Sequence, residues 1–505
     1  MVPPTREPSY LTPVVRRAGG VHGCCRRVGP RRDAERLLNH SRHHQSATTR
    51  TLPNVAELRQ ELEIFRDENN VPGVSVCFFN ENGPLVAASS GFSSSRAGAP
   101  AMTPETVFRI YSITKMMTGT AALRMAASGL LDIDRPISDY IPAATVGPDV
   151  NDITARMLLS HRSGLGTDAL TRHAQDRAPN GLSVAVEHDV PVLERVASPG
   201  DVYSYSSMGI SVLGLIMERL GGLPFRELMR QLIIEPLAMG STSYVPEEVA
   251  AVTHARHHLV DRAGRLRPGH DARLGTRYET SSRCWSTPSD VARFGAEHLS
   301  AARGNGPVGE TLRSMHLVEA EIGLDVATNY GLTCYRTDLE DGGILLGHEG
   351  FFGGMWAKLV MDPRQNIGLV WMDNRGDEIR DARYAVMRRM CGMPGEPMRA
   401  SGRSQATGAP PVGLWSRPGV GALRIKSEGS ALAVTEGSRT VRLSMLGPDR
   451  WVSVSEERSI AAPWAPHATS THVALGVVRG AEGLPRYVQL NGVPYSRTEG
   501  STSAT

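Results

Sequence analysis

Lysine is almost missing from this 505-residue chain: Lys115, Lys358 and Lys426 stand among 55 basic side chains, and the rest are arginine. Arginine keeps its proton under all ordinary conditions, whereas lysine can be tuned into a base. Each surviving lysine therefore raises a chemical question, although a bias in genomic base composition accounts for the scarcity equally well. Cysteine is also scarce. Cys24, Cys25, Cys77, Cys284, Cys334 and Cys391 are scattered without metal-ligand spacing, which excludes a disulfide scaffold and leads us to expect reduced thiols and a cytoplasmic setting. No long apolar run is present. The most continuous one, Met208 to Met217, is broken by Ser211 and closed by Glu218, well short of the ~18 residues of a membrane-spanning helix. An excess of one charge is lacking too. With 55 basic against 52 acidic side chains the net charge is +3, too balanced for a whole surface that binds nucleic acid or membrane. The N-terminus lacks the apolar stretch of a secretory signal.

What remains is an ordinary globular composition, 40% hydrophobic and 21% charged, long enough for two to four domains. Residues 1–50 hold ten arginines against Glu7, Asp33 and Glu35 and read as a basic tail without a core. A nucleic-acid role for that tail would show as affinity that falls steeply with salt. Helical spacing over Val55 to Asn69 is followed by alternating runs from Gly73 and Pro84 around Asn80-Glu-Asn-Gly83, which predict a hairpin. The middle of the chain is mainly helical, and strands return between Gly343 and Asn374. Chain ends that share one sheet around a helical insert imply an α+β domain over 51–398, with a cleft between sheet and helices. Residues 399–411 have linker composition. Short alternating segments over 412–500 predict a small all-β domain.

The sharpest local signal is Ser112-Ile-Thr-Lys115 at the start of a predicted helix. A spacing of three puts both side chains on one face of the first turn. A serine hydroxyl is a weak nucleophile until a neighbour takes its proton, and a buried lysine, with its pKa brought down from ~10.4, can do so. The helix N-terminus directs backbone N–H groups to the same place, where a carbonyl oxygen would become negative. On its own the motif is also compatible with a surface helix bearing an exposed lysine.

Further segments follow in a fixed order: Ile153 to Leu165 with His161, Pro199 to Ser207 with Tyr205, Ile234 to Gly240, Ser286 to Phe294, and Gly347 to Gly354 with His348 and Gly350. Together with the Ser112 motif they resemble the serine β-lactamase and penicillin-binding-protein superfamily, in its class C β-lactamase-like branch of esterases, D-aminopeptidases and transacylases. The resemblance spans about Val71 to Asn374. It implies an antiparallel sheet flanked by helices plus a helical lobe, and for the C-terminal region a lipocalin-like barrel. It also implies that Ser112 is the acyl-accepting nucleophile, Lys115 its base and Tyr205 the proton-handling tyrosine, with Tyr203 as a rival for that place. His348, Gly350 and Phe351 would border the substrate, the N–H groups of Ser112 and Phe351 forming the oxyanion hole.

Two positions depart from the family. Ser207 stands where members commonly carry asparagine, and His348 where β-lactamases usually carry lysine. The departures weaken recognition of a substrate amide and of an antibiotic carboxylate, and a penicillin is not the expected substrate. His254, His257 and His258 cluster without a further metal ligand, His161 reads as a packed structural histidine, and Met116, Met117 and Met125 as helix core. The expected protein is thus a serine hydrolase for a small ester, amide or peptide, without metal, cofactor, membrane or nucleic-acid partner. Two alternatives stay open: a transacylase or peptide-cyclising enzyme using the same acyl-serine, and a non-catalytic binding protein on this fold.

Overall fold

A computed structural model describes residues 52–498, except 143–150, 167–180, 270–275, 323–328, 392–408, 454–472 and short breaks at 194, 262–263, 307–308, 340, 377–378, 418–419, 430, 448 and 481. The basic tail, Cys24, Cys25 and most of the proposed linker lie outside the described residues.

Chain order begins with helix α1 (Val55–Glu68), whose N-cap Asn54 accepts from the Glu57 amide while the Glu57 carboxylate accepts from Asn54 N–H. This reciprocal box satisfies amides that the first turn leaves unpaired. Leu58, Leu62 and Phe65 form its buried stripe, and each buried side chain contributes roughly 2 kcal/mol. The hairpin β1 (Gly73–Asn80) and β2 (Gly83–Gly91) follows. Next come α2 (Ile113–Ala127), α3 (Ser207–Gly221) and α4 (Pro288–Ala302). The chain then returns to strands β3 (Ala320–Glu321), β4 (Asn329–Tyr330), β5 (Tyr335–Asp338), β6 (Ile344–Phe352), β7 (Met355–Asp362) and β8 (Ile367–Asp373), and to helix α5 (Arg380–Cys391). Together with the hairpin these strands make one eight-stranded antiparallel sheet in the order β2-β1-β8-β7-β6-β5-β4-β3. The two ends of the fold meet where β1 pairs with β8.

Alternation along the central strands sorts side chains into two cores. Val74, Val76 and Phe78 of β1, Trp356 and Val360 of β7, and Leu369 and Trp371 of β8 pack with α1 and α5. The intervening residues Cys77, Phe79, Ala357, Leu359, Val370 and Met372 face the helical lobe. Helix α4 lies close on that second face: a Cβ at Gly295 would come within 2.5 Å of the Phe79 ring. Met116, Met117 and Met125 are buried in the same core, and the Cys77, Cys284, Cys334 and Cys391 thiols are buried and unbonded to one another. Behind the first face a wholly buried Arg383 clamps Asp373 through two hydrogen bonds of 2.7 Å, and the Trp371 indole donates to the same carboxylate.

The C-terminal strands, from Gly413–Arg417 to Val493–Arg497, close into an eight-stranded antiparallel barrel around Trp415, Trp451 and Tyr495. Closure leaves no open edge. The alternating segments that start at Ala422, Ala431, Thr440, His472 and Tyr487 overlap five of the barrel strands, and Gly413–Arg417, Arg450–Ser453 and Val493–Arg497 lie outside them. Among the described residues no single helix is long and apolar enough to cross a membrane, and the most apolar of the long helices, α3, is buried along most of its length.

Two histidines tie the helical lobe together. Thr120 of α2 bonds His298 Nε2 of α4 at 2.9 Å, and His298 Nδ1 meets His316 Nε2 at 3.1 Å. Burial pushes His298, His316, His161 and His348 well below the ordinary histidine range, His316 and His348 to about 3. The folded chain thus refuses protons that the unfolded chain accepts below pH ~6.5, and each such histidine removes up to ~1.4 kcal/mol per pH unit as the pH falls from there. Stability from this source is complete above pH ~6.5. The urea midpoint is expected to fall steeply between pH 7 and pH 5, and less steeply in a His316→Gln variant; equal slopes for the two proteins would refute the assignment.

Candidate active site

The turn that enters α2 is built by pairing at a distance. Phe108 and Arg109 pair with Ser286 and Trp285, and Ile110 N–H donates to Cys284. The buried Arg109 guanidinium donates to the Ser282 carbonyl and lies over the rings of Tyr111 and Trp285. Tyr111 has φ +43°, in the left-handed region, at a cost of ~1–2 kcal/mol for an L-residue. Its phenol is held by His257 Nε2. Ser112 follows as the N-cap of α2 with ordinary helical angles.

One helical turn on, the fully buried Lys115 places Nζ 3.1 Å from Ser112 Oγ and 3.2 Å from the Ser281 carbonyl. The same nitrogen lies 4.7 Å from the centre of the Tyr205 ring. Tyr203, the rival, points elsewhere: its ring packs on Tyr330 and His161, burial raises its pKa well above the ordinary value, and its carbonyl accepts from Gln489 of the barrel. Nearby, Arg486 and Tyr487 of the barrel grip Asp201.

Strand β6 borders Ser112. Its alternation sends His348 and Gly350 toward the lobe and Glu349 and Phe351 toward the opposite core. A Cβ on Gly350 would lie 2.1 Å from the Ile110 carbonyl and 2.6 Å from Ser112 N. Only glycine lets the strand edge come this near the turn Ile110–Ser112. The Phe351 side chain packs against the opposite core, and it is Gly350 that meets the turn at Ser112. His348 is buried, with Nδ1 against the Glu349 carbonyl and Nε2 3.3 Å from the Tyr330 hydroxyl; as a neutral ring it cannot serve as the cation that lysine provides in β-lactamases. Ser207 is the first residue of α3, nearly buried, and its carbonyl accepts from Ser211.

The other lysine of this region has a different place. Lys358 joins Glu349, Arg380 and the Tyr384 hydroxyl in a buried network on the far face of the sheet. The clustered histidines are each bonded separately: His257 to Tyr111, and His258 to the Asn374 carbonyl and the Ser95 amide. Among the described residues no group of three or more metal-ligating side chains is assembled. The residue whose place the sequence did not foretell is His161, whose ring centre is 4.3 Å from that of Tyr205.

The β-lactamase family profile matches residues 57–391. The chain belongs to the β-lactamase family. Among its relatives are penicillin-binding protein 4 of Amycolatopsis lactamdurans, 27% identical over 64% of this chain and 85% of the relative, and esterase EstB of Burkholderia gladioli, 29% identical over 47% of this chain and 63% of the esterase. The chain thus spans less than two thirds of the esterase. Among solved structures, SurE superposes over 92% of this chain and all of its own with a TM-score of 0.66 at 21% identity. A D-stereospecific amidohydrolase from Streptomyces superposes over 68% of this chain and all of its own, with a TM-score of 0.53 at 22% identity. A class C β-lactamase superposes over 72% of this chain and 99% of its own with a TM-score of 0.53 at 16% identity, and with the family profile it establishes the α+β β-lactamase fold. SurE is matched well beyond that domain's length, since the β-lactamase profile ends at residue 391.

Gly350→Ala tests the close approach. The added methyl meets the Ile110 carbonyl, Ser112 N and Tyr111 Cβ, and we expect labelling by a fluorophosphonate to slow by about 100-fold or more, as when an oxyanion donor is lost, with the circular dichroism spectrum unchanged. Labelling at the parent rate would show that the strand does not sit against the serine.

Proposed function

We propose that this β-lactamase-family protein is a serine acyl-transfer enzyme working through an acyl-enzyme on Ser112. The observation that carries the reading is the contact of Lys115 Nζ with Ser112 Oγ at 3.1 Å, with the Tyr205 ring against the same nitrogen. In its unprotonated form Lys115 takes the serine proton as Oγ attacks the carbonyl carbon of an ester or amide. The carbonyl oxygen, now negative, is met by the N–H groups of Ser112 and Phe351. Collapse breaks the C–O or C–N bond, and the leaving alcohol or amine receives its proton through Tyr205. Water, deprotonated by the same pair, then releases the acid.

A second reading keeps the first half-reaction and replaces water with an amine or alcohol, making a transacylase or a peptide-cyclising enzyme. What supports weighing it is that the barrel residues Arg486, Tyr487 and Gln489 bond the chain segment just ahead of Tyr205. The substrate class to try first is a neutral D-amino-acyl or peptidyl ester. The neutral His348 supports a donor without a carboxylate at that edge, and D-configuration is suggested by the Streptomyces amidohydrolase and by SurE, which has been solved with D-Leu.

Intact-mass measurement after mixing with p-nitrophenyl esters of D- and L-amino acids tests this directly. The parent should gain one acyl mass, and Ser112→Ala should gain none and lose more than about 1000-fold in turnover. Faster decay of the adduct with added amine, giving the amide, selects the transferase reading; decay indifferent to amine selects the hydrolase. No adduct with any ester would overturn both in favour of a binding role.

A further inference from the structure

We propose that His161 is a positioning residue for Tyr205, holding the tyrosine from both sides and from its face so that its ring stays against Lys115. The inference deepens the acyl-transfer reading above and rests on its use of Tyr205.

The backbone carbonyl of His161 accepts from Ser204 N–H at 2.7 Å, and its ring Nδ1 accepts from Ser206 N–H at 3.2 Å. Ser204 and Ser206 are the two neighbours of Tyr205 in the chain. The His161 ring then lies at 4.3 Å from the Tyr205 ring, tilted by 43°. Three contacts from one residue thus fix the path of the chain before the tyrosine, its path after the tyrosine, and the face of the ring. Ser206 adds a second anchor by accepting from Gly209 N–H and donating to the Gly166 carbonyl.

The chemistry of the histidine fits this use. Accepting an amide proton at Nδ1 places the ring proton on Nε2 and requires a neutral imidazole. Full burial, with Lys115 nearby, keeps it so. The Nε2–H itself has no hydrogen-bond partner, so the ring is kept in this pocket by what Nδ1 and the ring face do. His161 also has φ +56°, a left-handed conformation that persists only where surrounding contacts impose it. That angle is what lets one residue offer its carbonyl to Ser204 and its ring to Ser206 together.

Replacement separates the acceptor from mere filling of space. Asparagine tolerates the left-handed region better than other non-glycine residues, and its Oδ1 can take the place of Nδ1. Glycine tolerates the angle but offers no side-chain acceptor, and leucine fills the volume but offers neither. Tyr205 acts during proton transfer, so loosening it should lower kcat more than KM. We expect His161→Gly and His161→Leu to lose about 10- to 100-fold in kcat, as for a misplaced reacting group, with KM nearly unchanged, and His161→Asn to recover most of the loss. Hydrogen exchange at the Ser206 amide, followed by mass spectrometry, should quicken in the glycine and leucine variants and not in the asparagine variant. That readout needs no turnover. Parent-like kcat and exchange in His161→Gly would overturn the inference, as would equal losses in all three variants that track a common fall in melting temperature. If the parent itself never acylates while exchange follows the acceptor, the acyl-transfer reading fails and the brace around Tyr205 stands.

Discussion

The site depends on one close approach, that of the β6 edge to the turn Ile110–Ser112. Gly350 makes it possible by having no Cβ, and the rest of the neighbourhood keeps it from relaxing. The turn is held on its own side by pairing with Cys284 to Ser286 and by Arg109, buried beneath Tyr111. The strand is held by β7, which is held by β8, whose Asp373 is locked by Arg383. Breaking a buried ion pair of that kind by removing one partner costs ~3–5 kcal/mol because a desolvated charge is left behind. A pair on the far face of the sheet therefore fixes the position of a strand edge on the near face.

Period-two alternation along β6 also assigns its charges. Glu349 faces Lys358, Arg380 and Tyr384, while on the other face Gly350 meets the turn at Ser112 and His348 lies by Tyr330 and Tyr205. A slip of one residue would bring the carboxylate to Lys115 and bury the histidine among cations. The buried network thus specifies register. It also absorbs Lys358, leaving Lys115 as the lysine that meets the serine and Lys426 on the barrel.

Much of this was legible in the sequence because its signals are local. The stripe Leu58, Leu62, Phe65 announces its helix by period, β1 and β2 alternate around a turn signal, β7 and β8 are short apolar runs joined by Asp362-Pro-Arg-Gln, and Ser112 and Lys115 lie one turn apart on any helix. The ordered segments of the family then located Tyr205 and Gly350. Signals that failed were those carried by distant partners. The barrel strands Arg450–Ser453 and Val493–Arg497 are too short to show a period of their own, and only closure with their neighbours defines them. His161 was expected to be structural; that it is buried agrees, but its bonds to Ser204 and Ser206 join residues more than 40 positions apart and leave no local pattern. His257 is likewise explained by Tyr111, 146 residues away.

The barrel acts on the same short segment from the other side. Arg486 and Tyr487 hold the Asp201 carboxylate and Gln489 holds the Tyr203 carbonyl, while His161 holds Ser204 and Ser206 from within the lobe. The stretch Asp201–Ser206 is thereby clamped between two bodies of the fold, with Tyr205 at its inner end. None of these bonds reaches Ser112, Lys115 or β6. The serine–lysine contact is set inside the lobe by one helical turn, and the tyrosine is set by long-range contacts that include the barrel. On the acyl-transfer reading proposed above, these barrel bonds act on the segment that carries Tyr205, while the contact between Ser112 and Lys115 is made within one turn of α2.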